Sequence, residues 1–375
     1  IYALSSMVLA YFSFRKGRKL LPGEPIKATF AGKRGAILGN AADVIAVLAV
    51  VFGVAGSLGS GIFQIGSGLH IVFATPGHSY LIYAIILIVL TCCYLLSAGT
   101  SLDKGIRFLS NLNMGTAVLL MLFILFFGPT VFILRTFLNS TGDYLASIVP
   151  LSTRIFHYSG EGHWSREWTL TYFIWWVSWA PFVGIFVARI SKGRTIREFV
   201  LGVVFLPTLF SMLWFSVLGG TALHIELFGE GGFGSLVTED VSTALFQFFE
   251  RFPLSNFLSL VALFLIFIFL VTSADSASFV LGLMTSGGNE NPATWQKILW
   301  GLIVAALTSA TLFGGGDIHV MRAIAISGAV PFVLIMLLQM LCLLKALIHE
   351  PVSQTTTALD QTEATLTPAP EEARA

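Results

Sequence analysis

Charge is what this chain has least of. Asp, Glu, Lys and Arg make up only 11 % of its 375 residues, against about 25 % in a typical soluble domain. A soluble fold of this length needs a more charged surface, so that class is excluded. Net charge is +1, too little to attract a polyanion, and no nucleic-acid partner is expected. Cysteine is scarce too. Cys92, Cys93 and Cys342 all lie inside apolar runs and two are adjacent, which excludes a disulfide framework and a zinc spacing. No HExxH or GxSxG occurs and no His/Asp/Ser set converges on one segment, so the chain is not read as an enzyme and no cofactor is expected. Gly53, Gly56, Gly59, Gly61, Gly66 and Gly68 contain no GxGxxG; they read as small residues that let helices approach closely. The chain opens at Ile1, already inside an apolar run and without a charged n-region. That is not a signal peptide, and the simplest expectation is truncation within a transmembrane helix.

What is abundant is apolar length. Hydrophobic residues make up 55 % of the chain and mean hydropathy is +0.84. Runs near 18 residues are long enough to cross a bilayer. One partial span is read at Ile1–Phe14. Eight complete ones are read near Ala42–Phe73, Tyr80–Ser97, Arg107–Leu134, Trp168–Ile190, Phe199–Leu227, Leu254–Leu283, Trp295–Phe313 and Val320–Ile348. Lys and Arg crowd the loop 15–40 and recur at Lys104, Arg107, Arg189, Lys192, Arg194, Arg197 and Lys297, while the alternate loops Ala74–Ser79 and Gly229–Asp240 carry none. The positive-inside rule then puts residue 1 outside and the C-terminus in the cytoplasm. Residues 139–163 mix apolar and polar positions and read as an outer amphipathic connector helix. It divides 1–138, a partial span plus three spans, from 164–348, five spans. That count is compatible with an inverted repeat whose first half is incomplete. The segment 349–375 reads as a disordered cytoplasmic tail.

The most informative stretch is Trp175-Trp176-Val177-Ser178-Trp179-Ala180-Pro181-Phe182. On a helix, Trp175, Trp179, Phe182 and Phe186 follow i, i+4, i+7, i+11 spacing and share a face, with Trp176 beside it. An interfacial belt is the common use of membrane tryptophan, but a belt sits at span ends and Trp179 is near the middle of its span. Packing filler is the second plain account. The third is a cation site: indole faces attract a cation, and a quaternary ammonium needs such a cage because it has no N–H to donate. Pro181 removes a backbone bond and is expected to bend the helix.

Trp175–Glu198, reading WWVSWAPFVGIFVARISKGRTIRE, closely resembles the signature of the betaine/carnitine/choline transporter family. The resemblance continues in Trp214–Gly220, in Val271–Ser278 and in Gly128–Leu134. It implies an all-α membrane protein, a LeuT-like inverted-repeat helical bundle, and a homotrimer in the lipid bilayer. Trp175, Trp176 and Trp179 look like tryptophan-box residues, Tyr2 like the tyrosine of that box, and Phe182 and Phe186 like aromatics further along the transport path. The family's remaining box tryptophans and its glycine-rich unwound helix would lie before Ile1.

Thr272 and Ser273 sit in an otherwise apolar span. The plain reading is that both hydroxyls bond back to a carbonyl one turn earlier. The resemblance implies that they supply sodium-site oxygens beside the Phe269 carbonyl. A second family sodium site uses two threonines where this chain has Val50 and Val54, which offer no side-chain oxygen. One sodium, a proton, or exchange without a coupling ion stay open. Asp275, a rare intramembrane charge, is a functional candidate by default; it is expected to pair with a basic neighbour, Arg189, as a gate or latch. His70 and Arg322 fall at outer span ends and receive no role.

The expected function is secondary active transport, as symporter or exchanger, of a small quaternary-ammonium solute such as glycine betaine, choline or carnitine. A ligand-gated channel or membrane sensor using the same cage is the alternative. The expected location is a bacterial-type inner membrane.

Overall fold

The computed structural model describes residues 1–100, 103–154, 156 and 162–350, with the backbone alone at 103–107. In hydrocarbon every backbone N–H and C=O must be satisfied within the segment, and a helix does this without a partner. The long apolar runs are accordingly helical, and no strand occurs among the described residues. In chain order the helices are α1 (Tyr2–Ala10), α2 (Glu24–Thr29), α3 (Gly32–Phe73), α4 (Tyr80–Gly99), α5 (Asp103–Phe127), α6 (Thr130–Thr153), α7 (Gly162–Ile190) and α8 (Ile196–Phe228). The short α9 (Phe233–Glu239) and α10 (Ala244–Phe249) follow, then α11 (Ser255–Thr285), α12 (Thr294–Phe313) and α13 (Ile318–Ile348). Eight of these, α3–α5, α7, α8 and α11–α13, are long and apolar enough to cross a membrane. The chain is a multi-pass all-α membrane protein, and each complete span read from the sequence has its helix.

Two boundaries differ from that reading. The span at 107–134 is two helices, because Gly128 and Pro129 end α5 and start α6; proline cannot continue the preceding helix. Helix α3 begins ten residues before Ala42 and runs for 42 residues, roughly 60 Å at 1.5 Å per residue. Nothing between Gly32 and Ala42 breaks a helix, and the extension is held at its side: Asp43 accepts from the Gly23 N–H at 2.7 Å and from Lys27 Nζ at 2.9 Å. The expected connector at 139–163 falls on the second half of α6, on residues 155 and 157–161, which lie outside the described residues, and on the start of α7. Residues 351–375 of the expected tail lie outside them too. Helix α7 runs unbroken through Pro181.

Helix α3 is the central strut, packed against α13, α11, α7 and α12. Close approach explains its glycines. A Cβ at Gly53 would meet Ser178 Oγ on α7 at 2.2 Å, and one at Gly56 would meet the Met321 carbonyl oxygen on α13 at 2.5 Å. Small residues that let backbones touch are how membrane helices associate when lipid and side chains are equally apolar. Helices α6 and α8 pack on each other at the periphery and leave most of their apolar side chains exposed, as lipid-facing elements do.

Local signals set the helix ends. Thr195 and Glu198 form a reciprocal capping box that starts α8, with the Glu198 N–H donating to Thr195 Oγ1 at 3.2 Å. Asp317 caps α13 through the Val320 N–H at 2.9 Å. At the Lys/Arg-rich end, Glu350 just beyond α13 accepts from Tyr11 Oη at 2.7 Å, Arg15 Nε at 2.7 Å and Lys16 Nζ at 2.5 Å. These bonds hold its carboxyl down at about 2, and they fasten the last described turn to the residues that follow α1.

Candidate functional site

Helix α7 carries the site. Its first turns, Gly162–Trp164, are followed by a π-helical segment at Ser165–Leu170 before regular α-helix resumes at Thr171. Such insertions widen a helix locally and recur at functional positions. Two close contacts then fix what the next turns face. Ser178 seats against Gly53 of α3, and Gly184 seats against Ser5 of α1, where an added Cβ would meet Ser5 Oγ at 2.6 Å. Ser5 Oγ also donates to the Ala180 carbonyl at 3.2 Å. Helix α7 is thereby clamped between α3 and α1.

On the N-terminal side of those clamps Tyr2 of α1 and Tyr172, Trp175, Trp176 and Trp179 of α7 line an open cavity of about 260 Å³, with Trp176 half exposed. Tyr2 stacks on Trp176 with ring centres 5.8 Å apart and planes 22° from parallel. Tyr172 stacks on Trp175 at 5.9 Å. The Trp175 Nε1–H donates to Ser57 Oγ on α3 at 3.0 Å, and Ser57 in turn donates to the Gly53 carbonyl at 2.9 Å. The one polar atom of that indole is therefore consumed on the protein side, and its π face is left for the cavity. No residue lining the cavity bears a charge. Five aromatic rings without a carboxylate can hold a cation through their quadrupoles and through apolar contact, and they offer little to a ligand that needs hydrogen-bond acceptors.

The structure brings Tyr2, Trp175, Trp176 and Trp179 together. It does not bring Phe182 and Phe186 to the same cavity. Phe182 is buried, edge-on to Trp179 with ring centres 5.6 Å apart. Phe186 lines a separate cavity of about 220 Å³ at the Lys/Arg-rich end, together with Arg189, Asp275, Phe279 and Lys297. Asp275 and Arg189 thus share a cavity; Arg189 also reaches Glu290 at 3.9 Å and lies over the Phe279 ring.

Tyr172 was missed by the sequence reading. It lies three residues before Trp175 and seven before Trp179, on the same helical face, so extending the spacing toward the N-terminus would have found it. Ser57 and Arg322 belong to other helices, and no local signal marks them.

Thr272 Oγ1 donates to the Ile268 carbonyl at 2.9 Å and lies 3.2 Å from the Phe269 carbonyl oxygen. Ser273 is the next residue on the same turn. Neutral hydroxyl and carbonyl oxygens are the donors a hard cation takes, so the three residues fit sodium in kind; all of them come from one turn of α11. Val50 and Val54 are buried and bring no side-chain oxygen. Among the described residues no group of three His, Cys, Asp or Glu side chains could hold a metal.

The cage opens toward the end opposite the basic loops. It shares Tyr172 and Trp175 with a cavity of about 450 Å³ lined also by Ser57, Ser60, Gln64 and Phe269. That cavity in turn shares Val241, Ser242, Ile318 and Arg322 with a vestibule of about 720 Å³.

Known proteins carry the same pattern. Residues 1–352 match the family described as BCCT, betaine/carnitine/choline family transporter. The chain is 43 % identical over 351 residues to the glycine betaine transporter OpuD of Bacillus subtilis, covering 93 % of this chain and 68 % of that protein. It is 40 % identical over 340 residues to the ectoine/hydroxyectoine transporter of Virgibacillus pantothenticus, covering 91 % and 67 %. It is 37 % identical over 349 residues to the glycine betaine transporter of Acinetobacter baylyi, covering 92 % of this chain and 52 % of that one. A match over nearly all the described residues, together with a fold of stacked membrane helices, establishes that this chain belongs to the betaine/carnitine/choline transporter family.

Proposed function

We propose that this chain is the solute-translocating core of a secondary active transporter for a small quaternary-ammonium compatible solute, glycine betaine, choline or carnitine, working by alternating access. The observation that carries the reading is the uncharged aromatic cavity between α1 and α7. Its volume of about 260 Å³ lies just below the range of ligand pockets, roughly 300–1,000 Å³, which suits a solute of a few heavy atoms. A primary ammonium brings three N–H groups and has at most the Tyr2 and Tyr172 hydroxyls among these rings to accept them, whereas a trimethylammonium head has none to satisfy. The relatives named as transporters of glycine betaine and of ectoine support a compatible solute as cargo.

In this reading the halves 1–138 and 164–348 belong to a LeuT-like inverted repeat, the protein assembles as a homotrimer in a bacterial inner membrane, and the Lys/Arg-rich end with the C-terminus faces the cytoplasm. Phe182 and Phe186 line the later part of the path, and Asp275 with Arg189 forms its inner gate. Sodium, bound at Thr272, Ser273 and the Phe269 carbonyl, is the coupling ion.

The test is accumulation of labelled glycine betaine by proteoliposomes carrying the whole protein, with an imposed sodium gradient. Accumulation above the external concentration is expected. Equilibration without accumulation points to a channel, and binding without flux to a sensor; either result overturns the proposal.

A further inference from the structure

The cavity of about 220 Å³ at the Lys/Arg-rich end gathers polar groups that the fold leaves idle. Ser97 comes from the end of α4, Arg189 from the last turn of α7, Asp275 and Ser276 from α11, and Lys297 from the first turn of α12. Ser97 Oγ is shielded from solvent and has no hydrogen-bond partner. A buried polar atom is costly to leave unpaired, and such an atom calls for an explanation. Ser276 makes no hydrogen bond among the described residues and lines the same space. Thr100, by contrast, is committed to the Leu96 carbonyl at 2.6 Å.

The two cations of the lining are weakly held as well. Lys297 makes no ion pair among the described residues, and the first turn of a helix is where the dipole disfavours a cation. Arg189 stands at a helix end that suits it, yet the one carboxylate it reaches is that of Glu290, an exposed side chain 3.9 Å away. An exposed pair at that distance holds little. The guanidinium carbon otherwise lies over Phe279, 5.4 Å from the ring centre. Two cations and one carboxylate, Asp275, leave the lining with a surplus of one positive charge. Phe186 and Phe279 are its apolar walls, which strengthen the field inside. The surplus matches a monovalent anion, whereas a doubly charged one such as sulfate brings excess charge against Asp275. The donors on offer, an ammonium, a guanidinium and two hydroxyls, are all able to point a hydrogen at it.

We propose that this cavity binds a small monovalent inorganic anion such as chloride, held by Lys297, Arg189 and the hydroxyls of Ser97 and Ser276, and that the bound anion speeds passage of a cationic head. The binding stands on the cavity alone. The effect on passage rests on the transport route proposed above, in which Phe186 lines the later part of the path. A trimethylammonium head on that route meets a positively charged cavity, and a resident anion cancels the charge.

The test follows thermal unfolding of the whole protein in detergent as sodium chloride replaces sodium gluconate at constant ionic strength. The wild-type midpoint is expected to rise with chloride along a saturating curve, as with any ligand of the native state. Bromide and nitrate replace chloride, and sulfate gives no saturating curve. Lys297→Gln weakens the apparent chloride affinity about 10-fold or more, the scale of one charge-assisted hydrogen bond. Ser97→Ala removes a neutral donor and weakens it less. Lys345→Gln removes the same charge from an exposed position outside the cavity and leaves the curve unchanged. A midpoint indifferent to chloride overturns the proposal, as does a response equal in wild type and Lys297→Gln. A response that Lys345→Gln weakens equally marks a general charge effect and overturns it too. If Lys297→Gln does not purify as a folded protein, Ser97→Ala decides, and an unaltered curve in that variant overturns the site. Passage is read separately, as glycine betaine uptake by proteoliposomes in sodium chloride or sodium gluconate. The maximal rate is expected to be several-fold higher in chloride with KM unchanged, and equal rates overturn the effect on passage. If chloride shifts the midpoint of wild type and not of Lys297→Gln while glycine betaine is carried in neither salt, the transport reading fails and the anion site stands.

Discussion

Replacing Trp175 tests the cage most directly, because this indole is fixed by two independent contacts and faces two cavities. It stacks on Tyr172, donates to Ser57 and lines both the cage and the cavity above it. A dry indole face contributes on the order of 1–2 kcal/mol to holding a cation, which is about 5–30-fold in apparent affinity. Trp175→Leu is expected to raise the KM for glycine betaine by that factor in proteoliposomes. Ser57→Ala leaves the face in place but orphans the indole N–H, at a cost of about 1–3 kcal/mol, shared between protein stability and the ring's orientation. Its expected effect on KM is about 2–13-fold when about half of that cost reaches binding. Trp175→Phe already lacks the N–H, so adding Ser57→Ala to it should change KM by no more than about 0.5 kcal/mol, the scatter of independent sites. Phe173 on the same helix is exposed and does not line the cavity, and Phe173→Leu should behave as wild type. The reasoning is refuted if Trp175→Leu transports with unaltered KM, or if Ser57→Ala is as damaging in the Trp175→Phe background as in wild type.

Three further outcomes are expected. Gly56→Ala forces a Cβ to within 2.5 Å of the Met321 carbonyl oxygen; the α3–α13 contact must part, at a cost of about 1–3 kcal/mol, and thermal unfolding in detergent should come at lower temperature, whereas an unchanged midpoint contradicts the packing. The Glu350 carboxyl is held at about 2, below its ordinary value of 4.5, by bonds from Lys16, Tyr11 and Arg15. Its folded-state value is depressed, so its contribution is present above about 4.5 and fades as pH falls toward 2; Glu350→Gln should lower the unfolding midpoint at pH 7 and make less difference at pH 3, and a gap that is constant with pH rules this out. If sodium couples through α11, Thr272→Ala should raise the sodium concentration for half-maximal uptake several-fold without changing the glycine betaine KM at saturating sodium. Uptake indifferent to replacing sodium by lithium or by a proton gradient would sink that site.

The spans were legible because hydrocarbon leaves the backbone no other choice: each apolar run must be a helix, whatever its neighbours do. Their ends were less so. The apolar run through residue 134 hides the break at Gly128–Pro129, since hydropathy does not register a proline. The start of α3 lies outside the apolar run and is set by Lys27, Gly23 and Asp43. For the site, a tryptophan cluster at helical spacing marked the right face, and resemblance supplied Tyr2. Periodicity could not tell where along that face space remains. Phe182 and Phe186 continue the stripe, yet at their depth Gly184 brings α1 against α7 through Ser5, and the gap that exists beside Trp175 and Trp179 is closed. Arg322 shows the converse limit. Its neighbours Asp317 and His319 give no hint of an aromatic partner, and only the crossing of α13 with α7 puts it over Trp168 and Tyr172.

The cavities also bear on how such a site could be alternately exposed. Cage, upper cavity and vestibule form one chain through shared residues, whereas the cavity with Phe186, Arg189 and Asp275 shares no lining residue with the cage. Phe182, buried against Trp179, lies between them. For a solute in the cage to reach the Lys/Arg-rich end, the α1–α7 contact around Phe182 has to open. That contact seats Gly184 against Ser5 and Leu9, carries the hydrogen bond from Ser5 to the Ala180 carbonyl, and includes the stack of Tyr2 on Trp176. Opening it gives up a ring stack and a leucine contact as well as one hydrogen bond. The α3–α7 contact at Gly53 and Ser178 is small, but there the Trp175–Ser57 bond ties the two helices a turn away. Helix α7 is thus tied on both sides, to α1 through Tyr2–Trp176 and Ser5–Ala180 and to α3 through Trp175–Ser57 and the seat of Ser178 on Gly53, and a transition that exposes the cage to the other side has to release the first of these ties.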